Sequence, residues 1–182
     1  MKLIDTRIPD VKIIEPAVFG DARGFFMETW SAAKFAELGL ELNFVQDNHS
    51  RSRQGILRGL HYQVQQAQGK LVRVTSGKVF DVAVDLRRSS ATFGQWVGAE
   101  LSDENHRMMW VPPGFAHGFY VMSESADFLY KCTDVYAPHH ERCIRWDDPT
   151  LAIDWPLVDG QTPLVSAKDA EGKSWQDAEV FK

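Results

Sequence analysis

The chain is poor in several features, and each scarcity excludes something. Its 182 residues include only two cysteines, Cys132 and Cys143, which do not form a close metal pair. With no export signal, they are expected to be reduced thiols that behave as small hydrophobes. No apolar run approaches the roughly 18 residues that a membrane-spanning helix requires. The opening stretch, MKLIDTRIPDVK, is charged throughout and lacks the apolar centre of a signal peptide, so a cytoplasmic location with no membrane partner is expected. Cations are outnumbered, with 20 Lys and Arg against 25 Asp and Glu and a net charge of -5. That balance argues against nucleic acid as a partner, because binding a phosphate backbone needs a basic surplus. A small anionic ligand stays open, since a few cations in one pocket suffice to hold it.

Helix signals are also scarce. In SAAKFAELG, Ser31 can cap the first amides, Phe35 and Leu38 lie three apart, and Gly39 can end the helix. A second short helix is expected in SWQDAEVF. Strand signals fill the rest. In KVFDVAVDL, Phe80, Val82, Val84 and Leu86 share one face, and Asp81, Ala83 and Asp85 share the other. KLVRVTSGKVFDV reads as two β-branched runs joined by a turn at TSGK. ATFGQWVGAEL reads as a strand interrupted by glycines, and HRMMWVPPGFAHGFYVM as strand, Pro-Pro-Gly turn and strand. ADFLYKCTDVY reads as a strand with Phe128, Tyr130, Cys132, Asp134 and Tyr136 on one face. Many short strands with Gly and Pro turns imply an all-β sandwich or barrel. With 44% apolar and 25% charged residues, no repeat and no linker, residues 1–182 are expected to form a single domain. The last thirty or so residues are expected to lie over the β core as loops and short helices.

The six histidines raise the question of a metal. A small β-barrel often builds a metal site from a His-x-His pair, a downstream Glu and a later His. Here His61 is followed two positions on by Gln63, and no Glu lies between Gln63 and Gly77. The later histidine, His117, does occur, in PPGFAHGF. A metal-independent protein is therefore expected. His139 and His140 are adjacent and are expected on a surface loop.

Without a metal, His61 and His117 remain as two imidazoles in the β core. An imidazole titrates near about pH 6.5 and can act as a base at neutral pH. Taken alone, each is more often a buried histidine satisfied by its neighbours. Nearby cations change the odds for His61: Arg58, Lys70 and, far upstream, Arg23 suit an anion or a forming oxyanion. Arg73 reads as part of a solvated face. Strand parity puts Gly59, His61 and Gln63 on one face and Arg58 on the other, unless Gly59 introduces a bulge. Tyr130 suits a proton donor, a phenol of pKa about 10, although an aromatic core stripe would also account for it.

The stretches RGFFMETW, FVQDNHSRSRQGILRGLHYQ, GKLVRVTSGKVFDVAVDLRRSSATFGQW, VPPGFAHGF, YKCTDVYAPHHERCIRWDDPTLAIDWP and SAKD resemble the dTDP-4-dehydrorhamnose 3,5-epimerases, in order, from about Arg23 to Asp169. The resemblance implies a cupin-type β jelly roll with a few short peripheral helices, a homodimer, and no metal or organic cofactor. It implies conversion of dTDP-4-dehydro-6-deoxy-D-glucose to dTDP-4-dehydro-L-rhamnose, a step toward L-rhamnose for surface polysaccharide. By the same resemblance His61 is the general base, Tyr130 the general acid, Asp169 the carboxylate that orients His61, and Lys70 the residue near the ketone oxygen. Arg23, Glu28, Gln46, Asn48, Arg58, His117, Glu141 and Lys168 fall on substrate-contact positions, and Phe26 and Tyr136 on the aromatic pair that sandwiches thymine. Three rival readings remain. One is an epimerase that inverts only C3 or only C5. The second is a metal-dependent cupin enzyme, which Gln63 disfavours. The third is a non-catalytic sugar-binding cupin, which would have no need of both His61 and Tyr130.

Overall fold

Runs of β-branched and aromatic residues separated by Gly and Pro turns make thirteen strands in the computed structural model, which describes all of residues 1–182. They are β1 (Lys2–Asp5), β2 (Lys12–Glu15), β3 (Val18–Asp21), β4 (Gly24–Met27), β5 (Gln46–Arg53), β6 (Leu57–Gln63), β7 (Lys70–Ser76), β8 (Lys78–Asp85), β9 (Trp96–Ser102), β10 (Met108–Val111), β11 (Phe115–Val121), β12 (Ser125–Cys132) and β13 (Glu141–Cys143). Helix α1 spans Ala32–Glu37, with the Ser31 side chain accepting from the Lys34 amide, and Gly39 lies just beyond its end at φ +81°. Helix α2 spans Ala167–Ala170, a short helix within the C-terminal stretch where loops and short helices are expected. The helix expected in SWQDAEVF is only a 3-10 turn at Trp175–Asp177.

The strands form two antiparallel sheets, ordered β1-β2-β10-β7-β12-β5 and β13-β6-β11-β8-β9. β7 and β8 are consecutive but lie in different sheets. Gly77 turns the chain between them at φ +78°, where a Cβ would meet the Ser125 carbonyl at 2.0 Å. The inward faces meet in a core of Val72, Val74, Val79, Ala83, Phe115, Phe119, Phe128 and their neighbours. This is the double-sheet, cupin-like jelly roll. β3 and β4 pair only with each other, as a separate hairpin.

Alternation along β8 explains why both of its faces are buried. Val79 and Ala83 point between the sheets, while Val82, Val84 and Leu86 pack under Leu151 and Trp155 from the C-terminal segment. A strand covered on both sides loses the polar half of its pattern. Two expected strands are shorter than foreseen. β9 begins only at Trp96, after the turns of residues 91–94, and β12 ends at Cys132, leaving Asp134 and Tyr136 in the loop beyond. No helix is long and apolar enough to cross a membrane.

Candidate active site

Residues of six strands line a cavity of about 370 Å³. β5 supplies Gln46, Asn48 and Ser50, β6 supplies Arg58 and His61, and β7 supplies Lys70. His117 comes from β11, Tyr130 from β12 and Glu141 from β13, while Tyr136 comes from the loop after β12. Cross-strand register sets the neighbours. His61 pairs with His117, Tyr130 with Asn48 and Val72, and Cys132 with both Lys70 and Gln46.

Arg58 and His61 are three positions apart, yet both line the cavity. The β6–β11 register shifts here, so that three steps along β6, from Arg58 to His61, oppose two along β11, from Phe119 to His117. The extra residue is a bulge at Gly59. Its φ is +126°, and a Cβ there would meet the Gly118 Cα at 2.6 Å and the His117 carbonyl at 2.8 Å. Only glycine fits such a conformation and approach. The bulge also frees the Gly59 N–H, which donates to Asp169 Oδ2 at 3.2 Å.

Asp169 reaches His61 from α2, where Ser166 caps the helix by accepting from the Asp169 amide at 3.1 Å. His61 Nε2 lies 2.6 Å from Asp169 Oδ1, the side chains 29% and 4% exposed. A carboxylate only accepts, so Nε2 carries a proton, and in the neutral ring Nδ1 then keeps its lone pair. Burial pushes the Asp169 carboxyl up, but the hydrogen bonds from His61, Gly59 and Ser166 outweigh it and hold the group below its ordinary value. A second pair faces it: His117 Nε2 donates to Asp81 Oδ1 and Oδ2 at 3.0 and 2.9 Å, and Asp81 is fully buried. Burial pushes the Lys70 ammonium down, with Cys132, Glu141 and Asp81 opposing, and pushes the Tyr130 phenol up.

At the rim, the Tyr136 hydroxyl donates to Glu141 Oε2 at 2.6 Å, and Lys168 pairs with the same carboxylate. Gln46 accepts from the Tyr136 amide at 2.8 Å and donates to Asn48. Gln63 has its amide committed to the wall: it donates to the Gln66 and Val135 carbonyls and accepts from the Ala137 N–H.

The expected site residues thus divide into two groups. Gln46, Asn48, Arg58, His61, Lys70, His117, Tyr130, Tyr136 and Glu141 line one cavity, with Asp169 and Lys168 directly behind. Arg23, Phe26 and Glu28 lie apart on or beside the β3–β4 hairpin, where Arg23 pairs with Asp21 and Glu28 with Lys34. Phe26 is 70% exposed. Arg73 projects from the opposite face of β7, beside Leu71 and Met108 in a separate cleft. Sequence reasoning missed Ser50, Gln68, Phe119 and Phe128 in the lining, and missed Asp81 as the partner of His117. The Asp81 side of β8 was already marked by two aspartates in an otherwise apolar strand.

The comparisons agree with this geometry. Residues 5–177 match the family model described as dTDP-4-dehydrorhamnose 3,5-epimerase. A protein of that name from Pseudomonas aeruginosa is 64% identical over 182 residues, covering 100% of this chain and 99% of the relative. The crystal structure of the Legionella pneumophila epimerase RmlC, in complex with dTDP-4-keto-L-rhamnose, superposes with a TM-score of 0.96 at 56% identity, covering 100% of this chain and 97% of that one. ChmJ, a 3'-monoepimerase from Streptomyces bikiniensis in complex with dTDP-quinovose, is more distant, with a TM-score of 0.87 at 30% identity over 93% of this chain and 86% of that one. The chain belongs to the dTDP-4-dehydrorhamnose 3,5-epimerase family.

Proposed function

We propose that this chain epimerises dTDP-4-dehydro-6-deoxy-D-glucose at C3 and C5, giving dTDP-4-dehydro-L-rhamnose. The observation that carries the reading is the His61–Asp169 pair, at 2.6 Å, in a cavity that also presents Lys70 and Tyr130. In a 4-keto sugar the hydrogens on C3 and C5 are both alpha to the carbonyl and therefore acidic. His61 Nδ1 removes one, leaving an enolate whose charge Lys70 stabilises. Tyr130 returns a proton to the opposite face of the ring, and repetition at the second carbon inverts both centres. A positioned base contributes about 10²–10⁴-fold, so enolate stabilisation in the cavity carries much of the rest. Asp169 fixes the His61 tautomer and offsets the charge the ring gains. Base, acid and enolate-stabilising cation are all side chains, so the proposed reaction uses no cofactor.

Gln46, Asn48, Arg58, His117, Glu141 and Lys168 hold the sugar nucleotide, remote contacts that orient the reacting carbons. Tyr136 stacks on the thymine. Arg23, Phe26 and Glu28 complete the site from a second copy, in a homodimer. Two features support that arrangement: the hairpin pairs with no other strand, and Phe19, Phe25 and Phe26 on it are 67%, 59% and 70% exposed. An apolar patch of that kind marks an interaction surface. A nucleoside diphosphate sugar does not cross a bilayer unaided, which supports a cytoplasmic location. Residues 1–182 form one cupin-like unit that supplies the base, the acid and the enolate-stabilising cation, and the second copy adds substrate contacts alone. Proton NMR of the product tests it: inversion at both C3 and C5 is expected, and inversion at one alone would favour a monoepimerase.

A further inference from the structure

Behind the His61 ring lies a third potential ligand that the epimerase reading does not use. β13 pairs with β6 so that Cys143 sits directly opposite His61. One ligand atom from each of His61, Cys143 and Asp169 falls within 4.8 Å of the others. We propose that these three side chains form a binding site for a thiophilic divalent cation of the Zn²⁺ type, and that its occupation switches His61 off as a base.

The geometry is close to what such an ion needs. Asp169 Oδ1 lies 2.6 Å from His61 Nε2 and 3.9 Å from Cys143 Sγ. Zinc takes nitrogen and oxygen at about 2.0–2.2 Å and sulfur at about 2.3 Å in a tetrahedron, so the first gap opens and the second closes by less than roughly 1 Å. Asp169 Oδ2 is held by the Gly59 N–H, which leaves Oδ1 as the oxygen for the ion. A second cavity, about 330 Å³, has His61 and Asp169 but not Cys143 on its wall, beside Ile56, Val165, Ser166 and two cations, Lys168 and Arg58, the latter donating to the Ser52 hydroxyl. It gives a way in and room for a water as fourth ligand, the pattern of three protein ligands and an open position. A thiolate in the set favours zinc over magnesium or calcium. The charges of carboxylate and thiolate balance those of the ion, while Lys168, nearby, is already paired with Glu141.

The consequence for catalysis follows from the tautomer. Binding releases the thiol proton to solvent and moves the imidazole proton from Nε2 to Nδ1. The nitrogen that faces the substrate then has no lone pair, although the ring has barely moved. Turnover falls and substrate affinity stays. The inhibitory effect rests on His61 being the base; the cation site itself does not.

The test titrates the purified enzyme with ZnCl₂ in a non-chelating buffer, then with CoCl₂ as a spectroscopic probe in the absence of substrate. For the wild type, kcat is expected to fall with KM unchanged and to recover with EDTA. Cys143→Ala and Cys143→Ser are expected to keep metal-free activity and to need at least about tenfold more Zn²⁺ for half-inhibition. Co²⁺ is expected to give a thiolate charge-transfer band in the wild type that both variants lack. Equal Zn²⁺ sensitivity in wild type and variants, or no Co²⁺–thiolate band in the wild type, would overturn the site. A band with undiminished turnover would keep the site and refute His61 as the base.

Discussion

His61 and Asp169 are 108 positions apart in the chain, and their separate environments set what each substitution should do. Asp169→Asn keeps the shape but lets the side chain donate, which frees the Nε2–Nδ1 tautomer to invert. Its kcat is expected to fall by about 10²–10⁴-fold with KM nearly unchanged, checked by steady-state kinetics on a variant of native circular dichroism. Tyr130→Phe should spare the first proton removal more than inversion, so solvent exchange should outlast product formation. Equal loss of both would count against the phenol as the acid. Asp85 illustrates a carboxylate with a structural task. Burial raises its pKa, yet Arg87, Ser90 and Thr92 together hold it down to about 2. Its folded value is thus below its unfolded one, so the stabilisation is present above about pH 4 and lost as pH falls toward 2. The stability gap between wild type and Asp85→Asn, from denaturant unfolding, is expected to shrink across that window.

At the scale of elements, one bulge decides whether the site exists. Gly59→Ala places a Cβ 2.6 Å from the Gly118 Cα at φ +126°. It is expected to cost about 1–3 kcal/mol or more, read from the denaturant midpoint. Surviving activity should fall further than stability does, because Arg58 and His61 would no longer share a face. The strands themselves were legible, since alternation and Gly/Pro turns name β8, β10, β11 and β12 without any structure. The bulge was legible only as a condition, because parity shows that Arg58 needs it and not that it occurs. Tyr136 was assigned to a strand that ends four residues earlier, since period-2 alternation continues by chance into the loop. The Trp175 helix failed because three residues of 3-10 turn already satisfy the Ser174 cap. Asp81 went unassigned because a buried charge in a strand announces only that it has a partner.

For the whole molecule, the open relation is between the cavity and the hairpin. Resemblance alone assigned Phe26 and Glu28 to the site, Arg23 was marked also as a cation that suits an anion, and no spacing in the chain could say whose site. If the hairpin serves a second copy, mixing Arg23→Ala with His61→Ala subunits regains activity, because one site of each heterodimer is intact. If it serves its own chain, every site in the mixture carries a lesion and the mixture stays inactive. The central claim, however, concerns one imidazole and two carbons. The most direct measurement incubates the 4-keto-6-deoxy sugar nucleotide with wild type and His61→Ala in deuterated water and maps the label by NMR. The account predicts deuterium at both C3 and C5 with wild type and at neither with His61→Ala. Undiminished exchange in His61→Ala would contradict it.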